Sequence, residues 1–213
     1  MLQIIVMARW PSPGRCKRRL SRDLYNRLGL SNSSERAARI QKRLTEHTTA
    51  VVRGLADAMV IEPVLAVSGL GPNAAGRWGQ QLGLPLVRLQ GQGQLGTRLR
   101  RQLMQGHRRG MPSLVIGTDL PELNPDDLKR AIEQLQTHDL VLGPASDGGY
   151  WLLGIGANLI HTPKHWPLIG IPWGGPTVLK STLKAASAHA ISTALLPRRN
   201  DLDHWSDLKP WQG

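Results

Sequence analysis

Short apolar segments alternate with helix-like segments along most of this chain, and that alternation restricts the folds it can adopt. The strand-like segments are residues 3–7, 59–67, 86–89, 114–116, 140–142, 150–155 and 191–196. Helical patterns lie between several of them, at residues 32–55, 74–82, 95–105 and 124–137. A strand that follows another through a helix pairs with it in parallel, and the helix covers the sheet. The pattern therefore predicts an α/β fold with three layers around a mostly parallel sheet.

Two of the helix starts carry capping signals. Residues 32–35, Asn-Ser-Ser-Glu, have the spacing of a capping box. Asn124 precedes Pro125, with Asp126 and Asp127 in the first turn, where the helix dipole favours acidic residues. No repeat, low-complexity segment or linker interrupts the pattern, so we expect residues 1–213 to form one domain.

One apolar strand, residues 114–116, runs directly into Gly117, Thr118 and Asp119 and then meets Pro121. An aspartate between Gly and Pro is typical of an ordinary turn. Alternatively, Asp119 lies at the carboxyl end of a parallel strand, where open α/β sheets bind their ligands. The strand alone does not decide between the two interpretations, so the other polar segments have to.

Positive charge is concentrated near the start of the chain. The sequence has 27 Lys and Arg against 15 Asp and Glu, a formal net charge of +12, which attracts polyanions in general. The clustered cations are Arg9, Arg15, Lys17, Arg18, Arg19 and Arg22. They lie in a Pro/Gly loop that leads into a helix start, and such a loop can hold a diphosphate by charge and by free backbone N–H groups. Zinc-finger spacing and RNA-binding signatures are missing from the sequence, so we expect a nucleotide here rather than a nucleic acid.

Residues 91–96 read G-x-G-x-x-G, and Asp119 follows at a distance typical of a ribose-binding acid. This is the spacing of a dinucleotide-binding fingerprint. However, the strand before it is short and carries Arg88, and Asp119 leads into Leu120-Pro121, a turn that a ribose-binding acid does not need. We therefore expect no nicotinamide cofactor at this segment.

Acidic residues recur after the later strand-like segments. Asp147 lies in the Gly/Pro-rich segment 143–151, and Asp201 and Asp203 follow the last strand. Two residues apart on an extended segment, Asp201 and Asp203 point the same way. Together with Asp119 they are hard oxygen ligands suited to Mg²⁺ or Mn²⁺ held by carboxylates and phosphate oxygens. We predict that Asp119, Asp201 and Asp203 bind one such ion, and that Asp147 acts as a base or contacts the substrate.

These segments resemble the motifs of a small glycosyltransferase-like family, some members of which are arsenosugar-biosynthesis glycosyltransferases. Residues 9–20 are similar to its K-x-P-x-P-G-R-x-K-T-R-L, and residues 90–98 to its Q-G-x-G-D-L-G-E-R. Residues 117–123 match G-T-D-x-P-x-L, residues 143–150 match G-P-x-x-D-G-G-Y, and residues 201–203 match a late D-x-D. The resemblance implies the GT-A fold of the nucleotide-diphospho-sugar transferase superfamily, whose members also include molybdenum cofactor and phospholactate guanylyltransferases.

The resemblance also implies roles for individual residues. Those expected to bind the nucleotide are Arg9, Gly14, Arg15, Lys17, Arg19, Gly91, Gly93, Gly96, Arg98 and Thr118. Those expected to bind the other substrate are Gly148, Gly149, Tyr150 and Trp173. The chain departs from the family at Gln94, where the family has Asp, at Thr97, where it has Glu, and at Gly174-Gly175, where it has Ser-Thr. We expect these positions to face the substrate, so either the acceptor differs or catalysis is weakened.

We therefore predict a metal-dependent, glycosyltransferase-like enzyme that uses a nucleotide-diphospho-sugar donor and a small-molecule acceptor. One alternative is nucleotidyl transfer from a nucleoside triphosphate, as in the guanylyltransferase relatives. Another is a nucleotide-binding or nucleic-acid-binding protein with weakened catalysis. The single cysteine, Cys16, excludes an internal disulfide and fits a reducing compartment. The sequence carries neither a signal-peptide pattern nor an apolar run long enough to cross a bilayer, so we expect a cytoplasmic location.

Overall fold

The computed structural model describes residues 1–211 of the backbone and the side chains of residues 1–208. Its strands are β1 (Leu2–Arg9), β2 (Ile61–Ser68), β3 (Val87–Leu89), β4 (Ser113–Ile116), β5 (Leu140–Pro144), β6 (Tyr150–Ile155) and β7 (Thr193–Leu195). Its α-helices are α1 (Arg18–Leu28), α2 (Ser33–Ala58), α3 (Pro72–Gln81), α4 (Leu95–Arg108), α5 (Pro125–Gln134), α6 (Ala157–Ile160) and α7 (Val178–Ala188). Short 3₁₀ helices span Pro163–His165 and Trp205–Trp211.

The strands form one seven-stranded sheet in the order β3-β2-β1-β4-β6-β5-β7. β6 runs antiparallel to both of its neighbours, β4 and β5, and every other neighbouring pair is parallel. The connection from β5 to β6 is too short for a helical crossover, so β6 must turn back against β5. The predicted α/β class with a mostly parallel sheet is thus confirmed.

Alternating residues of the central strands divide the core between the two faces of the sheet. Ile4 and Val6 point to one face, where they join Val52 of α2, Trp78 of α3 and Leu128 of α5 in one buried cluster. The neighbouring residue Ile5 points to the other face, whose cluster is completed from α4, α6 and α7 by Leu99, Leu103, Leu159 and Ala186. This period-two alternation produces the predicted three layers.

The helix α1 lies outside these layers and packs on α2. Leu20 and Leu24 of α1, Leu44 of α2 and Leu202 near the end of the chain form a separate buried cluster. This contact brings the late segment around residue 202 back to the basic loop that precedes α1. Only the start of α1 was predicted from the sequence, because its charged residues outnumber the apolar ones.

One of the two predicted helix caps forms. The Asn124 side chain accepts hydrogen bonds from the backbone N–H groups of Asp126 and Asp127. The Asp127 carboxylate in turn accepts one from the Asn124 N–H, which completes a capping box. The predicted box at residues 32–35 is wrong, although α2 does begin there. The Asn32 side chain instead accepts a hydrogen bond from Nε of Arg36. Among the residues described, no helix is long and apolar enough to cross a membrane.

Candidate functional site

Two neighbouring cavities open at the edge of the sheet where β1, β4 and β5 end and the antiparallel β6 begins. The large cavity has a volume of about 400 Å³ and lies between this edge and the helices α4 and α7. The basic cavity, of about 370 Å³, lies against the loop between β1 and α1. Arg9, Asp119 and Asp203 line both cavities. The ends of these strands therefore converge on one crevice, as in other open α/β sheets.

Asp119 and the late acidic segment meet through the backbone. The N–H of Leu202 donates a hydrogen bond of 2.8 Å to the Asp119 carbonyl. Leu202 is itself anchored in the cluster beneath α1. Asp203 is held in addition through its own N–H, which donates to the Asp207 carboxylate at 2.9 Å. These contacts bring the segment that carries Asp201 and Asp203 to the same edge of the sheet as Asp119, although Asp119 and Asp201 lie 82 positions apart in the chain.

A buried lysine lies between two of these carboxylates. Lys17 Nζ is 2.5 Å from Asp119 Oδ1 and 3.0 Å from Asp203 Oδ1. The Lys17 side chain is only 3% exposed, whereas those of Asp119 and Asp203 are 46% and 40% exposed. Burial alone would lower the pKa of Lys17, but the two carboxylates more than compensate and raise it above its ordinary value. Lys17 is therefore charged, and it bridges the two aspartates.

The backbone at Lys17 is also unusual. Lys17 is the N-cap of α1 and adopts the left-handed conformation, with φ of +45°. A non-glycine residue in this region is strained by about 1–3 kcal/mol and persists only where its surroundings hold it. Its two ion pairs and the packing of Leu20 within the next turn provide that support.

Asp201 lies deeper than the other two acids and lines only the large cavity. Burial, reinforced by the negative charges of Asp119, Asp147 and Asp203, raises the pKa of Asp201 to about 7. The positive charge of Lys17 opposes this shift without cancelling it. The neighbouring negative charges thus disfavour ionisation of Asp201, and a cation bound beside it would favour the charged form.

These residues fit a divalent ion that arrives together with phosphate. Among the residues described, no three acidic, histidine or cysteine side chains are arranged closely enough to form a complete metal cage. Asp119 and Asp203 are nevertheless close enough to share one cation, because Lys17 contacts both. Mg²⁺ is commonly bound by one or two carboxylates, with phosphate oxygens and water as the other ligands. The donor set therefore matches that mode of binding.

The basic loop surrounds the second cavity. Arg15, Lys17 and Arg19 line it, together with Thr118. Arg9 Nη1 donates to the Arg15 carbonyl at 2.9 Å, which closes the loop onto the end of β1. Arg19 Nη1 lies 3.6 Å from the second oxygen of Asp203. Gly14 lies in the same loop but lines neither cavity, and its φ of +71° gives a backbone reason for glycine there.

The glycine-rich segment after β3 plays a more limited part. Arg98 lines the large cavity, and its Nε donates to the Gly93 carbonyl at 2.8 Å. Gly91, Gly93 and Gly96 do not line either cavity. Gly96 instead lies against the Trp173 indole, which a Cβ atom at this position would overlap. Of these four residues, therefore, only Arg98 lines a cavity, and nucleotide binding by the three glycines stays a prediction.

The predicted substrate-binding residues form the opposite wall of the large cavity. Gly149, Tyr150 and Trp173 line it, and the two aromatic rings meet edge to face with centroids 6.1 Å apart. Asp147 also lines it and accepts a hydrogen bond of 2.8 Å from the Gly149 N–H. Gly148 does not line it, because Gly148 packs on the Pro176 backbone, where a Cβ would lie 2.0 Å from the carbonyl oxygen.

Two buried glutamines support the site and were not predicted from the sequence. Gln41 of α2 donates to the Thr118 hydroxyl at 2.9 Å and so fixes the turn that carries Asp119. Gln90 donates to the carbonyls of Ala8 and Ala66 and joins the ends of β1 and β2. The sequence does contain a signal for Gln41, because this polar residue lies on the apolar face of α2. Gln90 begins the motif at residues 90–98, but it lies in a loop, where no periodic pattern predicts that a side chain is buried.

Comparison with known proteins identifies the family of this chain. Residues 51–175 match a family of uncharacterized proteins conserved in bacteria, domain of unknown function DUF2064. The chain belongs to this family. No curated protein matches the chain in sequence. The matched region contains β2 to β6 and the turn that carries Asp119, and the basic loop and the late acidic segment flank it.

Solved structures share the fold of this DUF2064 member. One of them is a protein from Desulfovibrio desulfuricans G20 whose assignment as a nucleotide-diphospho-sugar transferase is inferred. It superimposes with a TM-score of 0.82 at 23% identity, and the match covers 99% of this chain and 87% of that one. A nucleotidyl transferase from Methanothermobacter thermautotrophicus gives 0.59 at 18% identity, covering 100% and 96%. A Mycobacterium tuberculosis H37Rv protein, solved in complex with manganese, gives 0.54 at 17% identity, covering 99% and 97%. The fold is therefore that of the nucleotide-diphospho-sugar transferases, as predicted.

Proposed function

We propose that this DUF2064 protein transfers a glycosyl group from a nucleotide-diphospho-sugar to a small-molecule acceptor. The observation that carries the proposal is the pair of carboxylates, Asp119 and Asp203, at the junction of the basic cavity and the large cavity. The junction offers cationic groups for a diphosphate on one side and a partly aromatic space on the other. A nucleotide sugar could place its diphosphate against the cationic groups and its sugar in the partly aromatic space.

In this proposal the basic loop holds the diphosphate. Arg15 and Arg19 are exposed along the basic cavity and can donate charge-assisted hydrogen bonds to phosphate oxygens. Asp119 and Asp203 would hold Mg²⁺ or Mn²⁺, with Asp201 adjacent, and this ion would neutralise charge on the departing diphosphate. The structural relative solved with manganese supports this assignment of a cofactor type.

The second substrate occupies the large cavity. Tyr150 and Trp173 would contact the sugar or the acceptor, and Asp147 would accept a proton from the acceptor hydroxyl. Asp147 suits that role because its side chain is exposed and the Gly149 N–H fixes its orientation. Arg98 lies on the same cavity and can contact a negatively charged part of either ligand.

Nucleotidyl transfer is the second candidate, because a nucleotidyl transferase shares the fold over nearly the full length of both chains. The same basic loop and carboxylates would serve, but the acceptor would attack the α-phosphorus of a nucleoside triphosphate. The products separate the two reactions, since glycosyl transfer releases a nucleoside diphosphate and nucleotidyl transfer releases pyrophosphate.

The first experiment is a thermal-shift panel of nucleoside triphosphates, diphosphates and nucleotide sugars, each with Mg²⁺, with Mn²⁺ and with EDTA. A ligand at about 100 times its Kd stabilises the folded state by roughly 2.7 kcal/mol. We expect a metal-dependent shift that Asp119→Asn removes and that the exposed control Asp57→Asn retains. If no nucleotide shifts the wild-type melting temperature, the proposal is wrong.

A further inference from the structure

The Lys17 ammonium group occupies the position between the Asp119 and Asp203 carboxylates. Its Nζ atom forms an ion pair with Oδ1 of each of them. A divalent ion shared by the same two residues would need that space, or would lie within a few ångströms of the ammonium. Two positive charges at such a distance repel each other, and water screens this repulsion only in part because the Lys17 side chain is 3% exposed. The lysine and the ion therefore compete for one position.

The surroundings of Lys17 show where its ammonium can go when it leaves the carboxylates. Lys17 lines the basic cavity together with Arg15 and Arg19. Without an anion, Arg15 and Arg19 repel a released ammonium, and Gln41 and Thr118 of the same cavity offer it only uncharged oxygens. With a diphosphate in the basic cavity, phosphate oxygens would replace the two carboxylates as acceptors. The exchange thus becomes favourable only when phosphate enters.

We propose that Lys17 is a placeholder cation, which the phosphates of an incoming nucleotide draw away from Asp119 and Asp203 so that a divalent ion can bind there. This inference rests on the proposed nucleotide-binding function. It predicts ordered binding, in which the free protein has little affinity for Mg²⁺ or Mn²⁺ and acquires it with the nucleotide. It also gives Lys17 a positioning role that differs from that of Arg15 and Arg19.

The test removes the placeholder and measures metal binding without any nucleotide. Lys17→Met keeps much of the length and volume of the side chain but removes its charge. We expect Lys17→Met to bind Mn²⁺ at least tenfold more tightly than the wild type, measured from the free Mn²⁺ signal by electron paramagnetic resonance. The exposed Lys42, paired with Glu46 on α2, provides the matched control. Lys42→Met should bind Mn²⁺ as the wild type does.

A double variant checks that the gain occurs at the predicted place. Lys17→Met combined with Asp119→Asn should lose the added Mn²⁺ affinity, because one of the two ligands no longer carries charge. If Lys17→Met binds Mn²⁺ no more tightly than the wild type, or if the double variant keeps the gain, the placeholder assignment is wrong.

Removing Lys17 leaves two carboxylates facing each other, so the variant could unfold. Lys17→Gln provides a second neutral side chain with hydrogen-bonding capacity. If neither variant folds in EDTA, the readout becomes refolding, which we expect Mn²⁺ to restore as judged by circular dichroism. Failure of Mn²⁺ to restore folding in both variants would overturn the inference.

The nucleotide measurements keep this inference separate from the proposed function. Wild-type nucleotide binding with equal Mn²⁺ affinity in wild type and Lys17→Met refutes the placeholder role alone. A gain of Mn²⁺ affinity in Lys17→Met, in a protein that binds no nucleotide, supports the exchange at the carboxylates and refutes the proposed function.

Discussion

Asp201 provides a quantitative test of the charge balance at the site. Its pKa is raised from 3.8 to about 7, by burial first and by the neighbouring carboxylates second. In the unfolded chain the carboxyl loses its proton near pH 4, whereas in the folded protein it keeps the proton up to about pH 7. The folded state therefore binds more protons than the unfolded state between these values, and stability falls as the pH rises through this window.

The size of the effect follows from the shift. One pKa unit corresponds to about 1.36 kcal/mol, so the shift of Asp201 corresponds to at most about 4 kcal/mol of lost stability above pH 7. Asp201→Asn keeps the shape of the side chain and cannot become charged. It should therefore be more stable than the wild type by about 2–4 kcal/mol at pH 8, and by no more than about 1 kcal/mol at pH 4.5. For a chain of this length, that gain raises the Tm by on the order of 10 °C.

Urea unfolding in EDTA at pH 4.5, 6 and 8 measures this difference directly. The control is Asp57→Asn, which changes an exposed aspartate near the end of α2 and should show no comparable pH-dependent gain. Addition of Mn²⁺ together with a nucleotide at pH 8 should stabilise the wild type more than Asp201→Asn, because the ion favours the charged carboxylate. A stability difference that does not grow between pH 4.5 and pH 8 would refute the reasoning.

Four further predictions concern the loop, the packing and the helix starts. The double variant Arg15→Ala/Arg19→Ala should bind nucleotide more than tenfold more weakly in calorimetry, because charge-assisted hydrogen bonds contribute about 1.5–3 kcal/mol each. The control Arg27→Ala, at the end of α1, should bind nucleotide as the wild type does. Arg199→Ala leaves the buried Asp127 without its 2.6 Å ion pair and should lower the free energy of unfolding by about 3–5 kcal/mol in urea. The exposed control Arg130→Ala should lose much less, and equal losses in the two variants would contradict this prediction. Gly148→Ala should destabilise by about 2–4 kcal/mol, because its φ is +90° and its Cβ would overlap Pro176. The control Gly71→Ala has space for the added methyl and should cost less than about 1 kcal/mol, which is the preference for glycine over alanine at the N-cap of α3. Gln94→Asp with Thr97→Glu should raise stability by about 1–2 kcal/mol through a new capping box at α4, and an unchanged Tm would count against it.

The sheet was predictable from sequence because its strands are short, apolar and separated by helices. Strand β6 was predicted with its observed bounds, since its apolar run begins after a glycine pair and ends at Gly156. The antiparallel direction of β6 was not predicted, because direction depends on the length of the crossover rather than on the strand. The helix α1 was largely missed because its apolar residues, Leu20 and Leu24, are few and pack on α2 rather than on the sheet.

The site was predictable in its residue types but not in its pairings. The strand-end rule correctly implied that Asp119 and the late aspartates come close together. The role of Lys17 could not be distinguished from that of its basic neighbours, because burial of a single side chain depends on tertiary contacts with residues far along the chain. The contact of the buried Gln41 and the ion pair between Arg199 and Asp127 could not be predicted for the same reason, since each joins segments that are distant in the sequence.

The structure also changes the interpretation of the departures from the resembled family. Gln94 is the N-cap of α4, and Thr97 is its third helical residue. Asp and Glu at these positions have the spacing of a capping box, in which both side chains bond to the backbone of the helix start. Both residues are exposed, and neither lines a cavity, although their neighbours Leu95 and Arg98 line the large one. Their part at the helix start is therefore a second explanation, and the expectation that they face the substrate stays a prediction.

The replacement at Gly174-Gly175 differs from these two, because both glycines line the large cavity beside Trp173. Loss of two hydroxyl groups there removes hydrogen-bond partners from the wall where the second substrate would bind, and leaves the carboxylates and the basic loop unchanged. A change confined to this wall alters which acceptor fits rather than whether phosphate binds. Under the proposed function, the departure at Gly174-Gly175 therefore favours a different acceptor over weakened catalysis.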